Sequence, residues 1–406
     1  MITIEEARAL VLAEASPLPS ERRALSEVLG GVLAQGLTAP HDLPPFDNSA
    51  MDGYAVRAAD VSRAADFPVT LKVVDTVAAG GLARAEVGTG EAIKIMTGAP
   101  LPRGADAVVE VEATEPRDGT VVVLRELESG ENLRRAGEDV RRGTPVLAAG
   151  DVVGPAEIGL AASLGFPFLE VHHRPRVAIV ATGSELVEVS QELAPGQIRN
   201  SNSYTMEAQC RQLGIEAERL GIAPDEYEAT RALLERGMTY DVLITSGGVS
   251  VGEFDFVKEV QDDLGVERRL WRVAMKPGKP LVFGVRDGCL VFGVPGNPVA
   301  AMVSFELFIR PALLRLMGHR RILRPLHRAV MHEDLVNRYG RVHVVRVRAW
   351  REGDTWHASS TGPQGSGILK SMVNADGLVF VPSDTEGIRA GDTVDMTLLR
   401  EQAREG

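Results

Sequence analysis

Two lysines three residues apart stand between prolines in Lys276-Pro277-Gly278-Lys279-Pro280, in a chain whose only other lysines are Lys72, Lys94, Lys258 and Lys370. A pair of compact ammonium charges on a constrained turn suits a small oxyanion or a phosphate. Two more glycine-bearing loops lie close by, Ser246-Gly247-Gly248-Val249-Ser250 and Pro295-Gly296-Asn297-Pro298. Each of the three loops follows a short apolar run (242–244, 273–275 and 290–294) that reads as a buried strand. Ligands of open α/β sheets bind outside the carboxyl ends of the strands. Glycine-rich backbone there can turn N–H groups toward an anion, with a helix amino terminus behind it. Carboxylates stand at the same edge: Glu185 in Thr182-Gly183-Ser184-Glu185, Asp225, and Asp255 behind the loop from Ser246 to Ser250. Hard oxygen ligands beside a phosphate cradle are what Mg²⁺ takes.

Every one of these residues also has an ordinary reading. Asp225 can be a helix cap, worth about 1 kcal/mol. Glu185 and Asp255 can complement helix dipoles. Gly247-Gly248 can be a tight turn, and Asn297 can cap the helix that Pro298 opens. All of these must hold together, on one edge, for the chemistry to disappear.

The elements that position these residues follow from the pattern. At 406 residues the chain is too long for one core. A helix over 3–14 opens with a Thr3…Glu6 capping box and turns Ile4, Ala7, Leu10 and Val11 to one side. Beyond Ala39 short β-like runs (69–74, 92–96, 107–111, 120–124) alternate with turns. Helix returns over 155–164 and strand over 168–171. From Pro175 a strand–helix alternation begins: strands 177–181, 215–220 and 242–244, and helices 203–213, 225–236 and 254–264. A long helix from Pro298 ends it near Met317. The fold class expected is therefore α/β multidomain. A central α/β domain with a parallel sheet (174–318) carries the site. A small N-terminal unit in two pieces (1–40 plus 139–173), an inserted β-rich domain (41–138) and a C-terminal β domain (319–406) surround it.

Charge and cysteine content narrow the function. The formal net charge is -12, the reverse of a nucleic-acid binder's balance, so attraction for an anion must be local. Two cysteines, Cys210 and Cys289, without a C-x-x-C pair argue against a disulfide framework or thiolate metal site. No signal peptide or bilayer-spanning run is apparent, so a cytoplasmic protein without membrane or nucleic-acid partners is expected. Three further loops read as turns or as ligand-facing segments: Asp47-Asn48-Ser49-Ala50-Met51-Asp52-Gly53-Tyr54, Met96-Thr97-Gly98-Ala99-Pro100, and Gly362-Pro363-Gln364-Gly365-Ser366-Gly367. Arg341 and Arg346 either hold an anion or decorate a strand. His172-His173, with no partner at metal-ligand spacing, reads as surface.

In this order the motifs resemble the molybdopterin molybdenumtransferase family, the molybdenum insertases related to the gephyrin E domain. The residues that carry the resemblance run from Pro45 to Ala55, Met96 to Ala99, Thr182 to Leu186, Ser246 to Gly252, Lys276 to Pro280 and Pro295 to Pro298, nearly the whole chain. The resemblance implies insertion of molybdenum from molybdate into adenylylated molybdopterin, with release of AMP and with Mg²⁺ as cofactor. It implies a homodimer whose active cleft is shared between subunits, and contact with other cofactor-biosynthesis proteins. By motif position it makes Asp52, Asp255, Lys276 and Lys279 catalytic. It assigns substrate contacts to Thr97, Ser246, Gly247, Gly248, Ser250, Pro295, Asn297, Arg341 and Ser366, and the metal to Glu185 and Asp225. Ser184 stands where many relatives carry Asp, and Val344 where an aromatic is usual. Two other readings stay open: the adenylylation step of the same pathway, and a non-enzymatic gephyrin-like scaffold.

Overall fold

Six strands form the sheet beneath the glycine loops: β1 (Val177–Thr182), β2 (Ala217–Ala223), β3 (Val242–Ser246), β4 (Glu267–Arg272), β5 (Pro280–Arg286) and β6 (Cys289–Val294), side by side as β2-β1-β3-β6-β5-β4. This computed structural model describes residues 1–248, 256–338 and 340–400. Strands β2, β1, β3 and β6 are mutually parallel, while β5 runs antiparallel to both β6 and β4. β1, β3 and β6 are buried along their whole length, which is why they read as unbroken apolar runs. Val177 and Ile179 enter the core on one face with Met206 and Cys210 of helix Asn202–Gln212. Ala178 and Val180 enter the other, with Leu234 of helix Tyr227–Gly237 and Val260 of helix Phe256–Asp263.

The run 273–275 is not a strand of this sheet. The ladder of β4 ends at Arg272 opposite Pro280, which has no N–H to carry it further. Val273 N donates to Lys279 O at 3.0 Å and closes the lysine loop. Met275–Lys276 then pairs in parallel with Val342 and His343 of the C-terminal sheet. The lysine loop thus leaves the expected edge, joined to a second domain.

Helix Ile4–Glu14 carries the reciprocal capping box, with Glu6 N donating to Thr3 Oγ1 at 3.1 Å and Thr3 N to Glu6 Oε2 at 2.8 Å. Ile4, Ala7 and Val11 are buried, but Leu10 is exposed, so the apolar face is narrower than its sequence suggests. Those buried residues join the core of the central sheet rather than that of the unit 1–40 plus 139–173. In that unit Ser20–Ala24 pairs with Phe168–His172, and Val28, Leu33 and Leu37 pack with Val153, Ala161 and Val171.

The segment from Pro298 is one rod with a flaw. Helices Pro298–Ser304 and Arg310–Leu316 flank a π-turn, Phe305–Ile309. Pro311 lacks the N–H that would reach Leu307 O four residues back, and Arg8 Nε donates to that carbonyl at 3.3 Å.

The inserted segment holds a six-stranded sheet that includes Gly53–Val56, Val69–Val77, Glu91–Ile95, Ala107–Glu110 and Thr120–Val123, with cores of its own. The C-terminal sheet is built on Leu326–Met331, Val342–Glu352, Thr355–Ser360, Gly377–Val381 and Thr393–Leu398. No helix among the described residues is long and apolar enough to cross a membrane.

Candidate active site

The chain leaves β1 toward one face of the sheet and the neighbouring β3 toward the other, so a crevice opens between their carboxyl ends. Thr182 and Ser246 line its floor, and Thr182 Oγ1 donates to Ser246 O at 3.3 Å. Gly247 (φ 93°) and Gly248 (φ 65°) follow in left-handed conformations. A Cβ on Gly247 would lie 2.4 Å from Thr182 O, and one on Gly248 2.3 Å from Val257 Cγ2. Only glycine fits at either place. Gly247 N donates to Val294 O at 3.1 Å, so this residue supplies shape to the loop rather than a free donor.

Asn202, which the sequence analysis did not single out, ties two of the loops together. Its Nδ2 donates to Ser246 Oγ at 2.7 Å and to Gly296 O at 2.8 Å. The visible signal was a second amide next to a capping one: Asn200 Oδ1 accepts from Ser203 N at 3.2 Å, which frees Asn202 for the crevice. Asn297 stands at the N-cap of helix Pro298–Ser304 but makes no side-chain cap bond, so its amide is not spent on the helix. Pro295 is buried beneath it.

The acids are placed differently from the ordinary readings. Helix Tyr227–Gly237 is capped by Glu226 without a side-chain bond, so Asp225 is not its cap. Instead Asp225 Oδ2 accepts from Ser184 N at 3.0 Å, and Ser184 Oγ accepts from Asp225 N at 3.2 Å. No helix begins at Glu185 either. Leu186 N closes a turn onto Gly183 O, strand Leu186–Val187 follows, and the Glu185 carboxylate folds back over Gly183. The reciprocal Ser184–Asp225 bonds tie the loop after β1 to the loop after β2 and fix the Asp225 carboxylate there. Asp255 and Ser250 lie outside the described residues.

On the far side, Gly278 packs so closely that a Cβ would sit 2.3 Å from Met275 Cε and 3.0 Å from Ser304 Oγ. That contact sets the lysine loop against the helix from Pro298, with Lys279 exposed and Lys276 half-buried. Ser366 O accepts from Val299 N at 3.1 Å, docking the Gly362–Gly367 loop on the same helix. Beneath it Arg346 is fully buried. Its Nε donates to Ser371 Oγ at 3.2 Å and its Nη2 to Gly365 O at 3.1 Å. Nη1 has no hydrogen-bond partner among the described residues. Burial pulls the guanidinium down to about 10. Of the two arginines weighed from sequence, Arg346 is thus the one beneath the Ser366 loop. Arg341 is half-buried, and its carbonyl accepts from Asn337 Nδ2 at 2.9 Å. His343, opposite Lys276 in register, is pushed down to about 4 by burial, then by the charges of Lys276 and Arg346.

Asp52 and Thr97 meet in the inserted unit. Asp52 Oδ1 accepts from Thr97 N at 2.7 Å and from Thr97 Oγ1 at 2.8 Å, and both residues are exposed. Those two bonds, the backbone one foremost, hold the carboxyl below its usual range. Gly53 beside it permits close strand pairing, since a Cβ there would overlap Val109 O.

Comparison with known proteins places the chain in a family. Residues 2–165 match the MoeA N-terminal region (domain I and II), 178–315 a probable molybdopterin binding domain, and 328–399 the MoeA C-terminal region (domain IV). The chain is 34% identical over 406 residues to a molybdopterin molybdenumtransferase of Staphylococcus aureus (strain N315), covering 100% of this chain and 97% of that protein. The protein of that name from Haemophilus influenzae is 36% identical over 400 residues, covering 97% of this chain and 98% of its own. The crystal structure of a molybdopterin biosynthesis moeA protein from Pyrococcus horikoshii OT3 superposes with a TM-score of 0.83 at 31% identity, over 98% of this chain and 100% of that one. The chain belongs to the molybdopterin molybdenumtransferase family. Membership makes it a transferase of molybdenum cofactor biosynthesis, and the multidomain fold expected from sequence is the one observed.

For a transferase of this family the crevice has two chemically distinct ends. One is the glycine-lined turn over Thr182, with the Asp225 and Glu185 loops beside it. The other is the helix from Pro298, against which the lysine loop and the Ser366 loop, with Arg346 beneath it, both pack. Among the described residues no group of three or more His, Cys, Asp or Glu converges, so Glu185 and Asp225 make no closed metal site, and water and substrate oxygens would have to complete any ion they held.

Proposed function

We propose that the chain inserts molybdenum from molybdate into adenylylated molybdopterin and releases AMP, in a Mg²⁺-dependent reaction at a cleft shared by two copies of the chain. The observation that carries this reading is the buried Arg346, whose Nη1 has no hydrogen-bond partner among the described residues, beneath the Ser366 loop and with His343 between it and Lys276. A guanidinium without a carboxylate costs stability in that position unless an anion is its partner.

In this reading the pyrophosphate lies over Ser246, Gly247 and Gly248, with Asn202 fixing the loop and Asn297 offering its amide. Glu185 and Asp225 would hold Mg²⁺, whose charge offsets that of the pyrophosphate as its P–O–P link is cleaved. Lys276, Lys279, Arg346 and Ser366 hold molybdate. Two unit charges 4 Å apart attract by about 4 kcal/mol at an effective dielectric near 20, enough to localise a dianion on an acidic protein. Asp52, kept ionised by Thr97, suits a permanent negative charge facing substrate donors or a cation rather than a general acid. Asp255 and Ser250 keep their motif-based roles. Handing the product to other cofactor-biosynthesis proteins fits the same reading.

The test is AMP release by the purified protein from adenylylated molybdopterin, with and without molybdate. Release that requires molybdate is expected. ATP-dependent adenylylation of molybdopterin, with no molybdate-dependent AMP, would move the assignment to the preceding step.

A further inference from the structure

Away from this crevice two imidazoles touch. His332 follows strand Leu326–Met331, His357 lies in strand Thr355–Ser360, and His332 Nε2 is 2.9 Å from His357 Nδ1. Backbone pairing fixes both: Val330 stands opposite His357 in the parallel ladder, and His332 N donates to Ala358 O at 2.9 Å. Trp350, opposite His357 on the antiparallel side, stacks on its ring at 5.7 Å with 19° between planes and packs 4.9 Å from His332. Trp350 Nε1 donates to Glu352 Oε1 at 2.9 Å, and Glu352 Oε2 lies 3.8 Å from His357 Nε2. The Glu352 charge lies beyond hydrogen-bond reach of Nε2, and a shift of a few tenths of an ångström would let it accept from Nε2 and leave the Nδ1 lone pair facing His332.

We propose that His332 and His357 form a two-imidazole site for a borderline divalent transition-metal ion of the Zn²⁺ or Ni²⁺ kind, with Glu352 orienting His357 through its far nitrogen. Two metal–nitrogen bonds of 2.0–2.1 Å at a tetrahedral angle separate the nitrogens by roughly 3.3 Å. That is a few tenths of an ångström beyond the present spacing, within reach of a small rotation of the exposed His332 ring. Water completes the shell, since no third His, Cys, Asp or Glu joins the pair among the described residues. Imidazole ligands do not compete for Mg²⁺, which keeps to oxygen. The ion would sit at the root of the loop that bears Ser366: strand Thr355–Ser360 runs into it, and Glu333, next to His332, accepts from Ser360 N. The site stands on these contacts alone, independent of the reaction proposed above.

Calorimetric titration of the untagged full-length protein with ZnCl₂, in excess Mg²⁺, should give one ion per chain. His332→Gln and His357→Gln should each weaken binding at least tenfold, and Glu352→Gln by about tenfold, as loss of an orienting partner does. His173→Gln, in the sequence pair His172-His173, should leave it unchanged. A second measurement needs no variant in the pair: Ni²⁺ should quench tryptophan fluorescence and saturating Zn²⁺ should reverse it, with Trp350→Phe removing the quenched component. Absence of Zn²⁺ uptake by the unmodified protein, or uptake that survives in both folded histidine variants, would overturn the site.

Discussion

Arg346 illustrates how a single residue can be expensive and retained. Its side chain is fully buried with neutral hydrogen-bond acceptors only. Taking an unpaired charge out of water costs several kcal/mol, a penalty that an apolar side chain of similar volume does not carry. Arg346→Met should therefore melt no lower than the parent while losing molybdate-dependent AMP release. A large fall in melting temperature would make the residue structural. Glu185→Ala should retain pterin binding but release AMP slowly, with partial recovery at high Mg²⁺ by mass action. Normal rates at limiting Mg²⁺ would exclude the ligand role. His343 gives a pH signature. Its folded value near 4 lies below the ordinary 6.5. Between those values the unfolded chain takes up a proton that the folded one refuses, so this stabilisation is complete above pH 6.5 and is lost as pH falls toward 4. Urea midpoints of His343→Gln should vary less with pH in that window than those of the parent, and equal slopes would refute the assignment.

At the scale of elements, the central strands were legible because they are buried on both faces and carry no alternation to confuse them. The glycine loops were legible as turns, and the left-handed backbone of Gly247 is what brings its loop over Thr182. The strand expected at 273–275 was not legible, because a proline across the ladder ends β4 early and pairing passes to another domain. Arg346 could be counted but not ranked above Arg341, since burial among residues distant in sequence decides between them. Asn202 was hidden by its closeness to a capping amide. Gly247→Ala should cost about 1–3 kcal/mol in backbone strain, plus the clash with Thr182 O. Gly119→Ala, also left-handed (φ 69°) but facing open space, should cost strain alone. Equal urea midpoints for the two variants would contradict the packing described for the loop.

At the scale of the whole molecule, the inserted unit has cores that include no residue of the central sheet, yet it holds Asp52 and Thr97. On the reading proposed above, a cleft completed by a second copy would bring these residues to the lysine loop, and two-fold symmetry would then make two equivalent composite sites. The most direct test mixes two inactive variants, Asp52→Ala and Lys279→Ala, after joint unfolding and refolding in equal amounts. Each mixed dimer then has one site carrying both lesions and one carrying neither. With half the dimers mixed, molybdate-dependent AMP release should return to roughly a quarter of the parent rate. If both residues serve a site within one chain, every site keeps a lesion. No activity after verified subunit exchange would contradict the shared cleft.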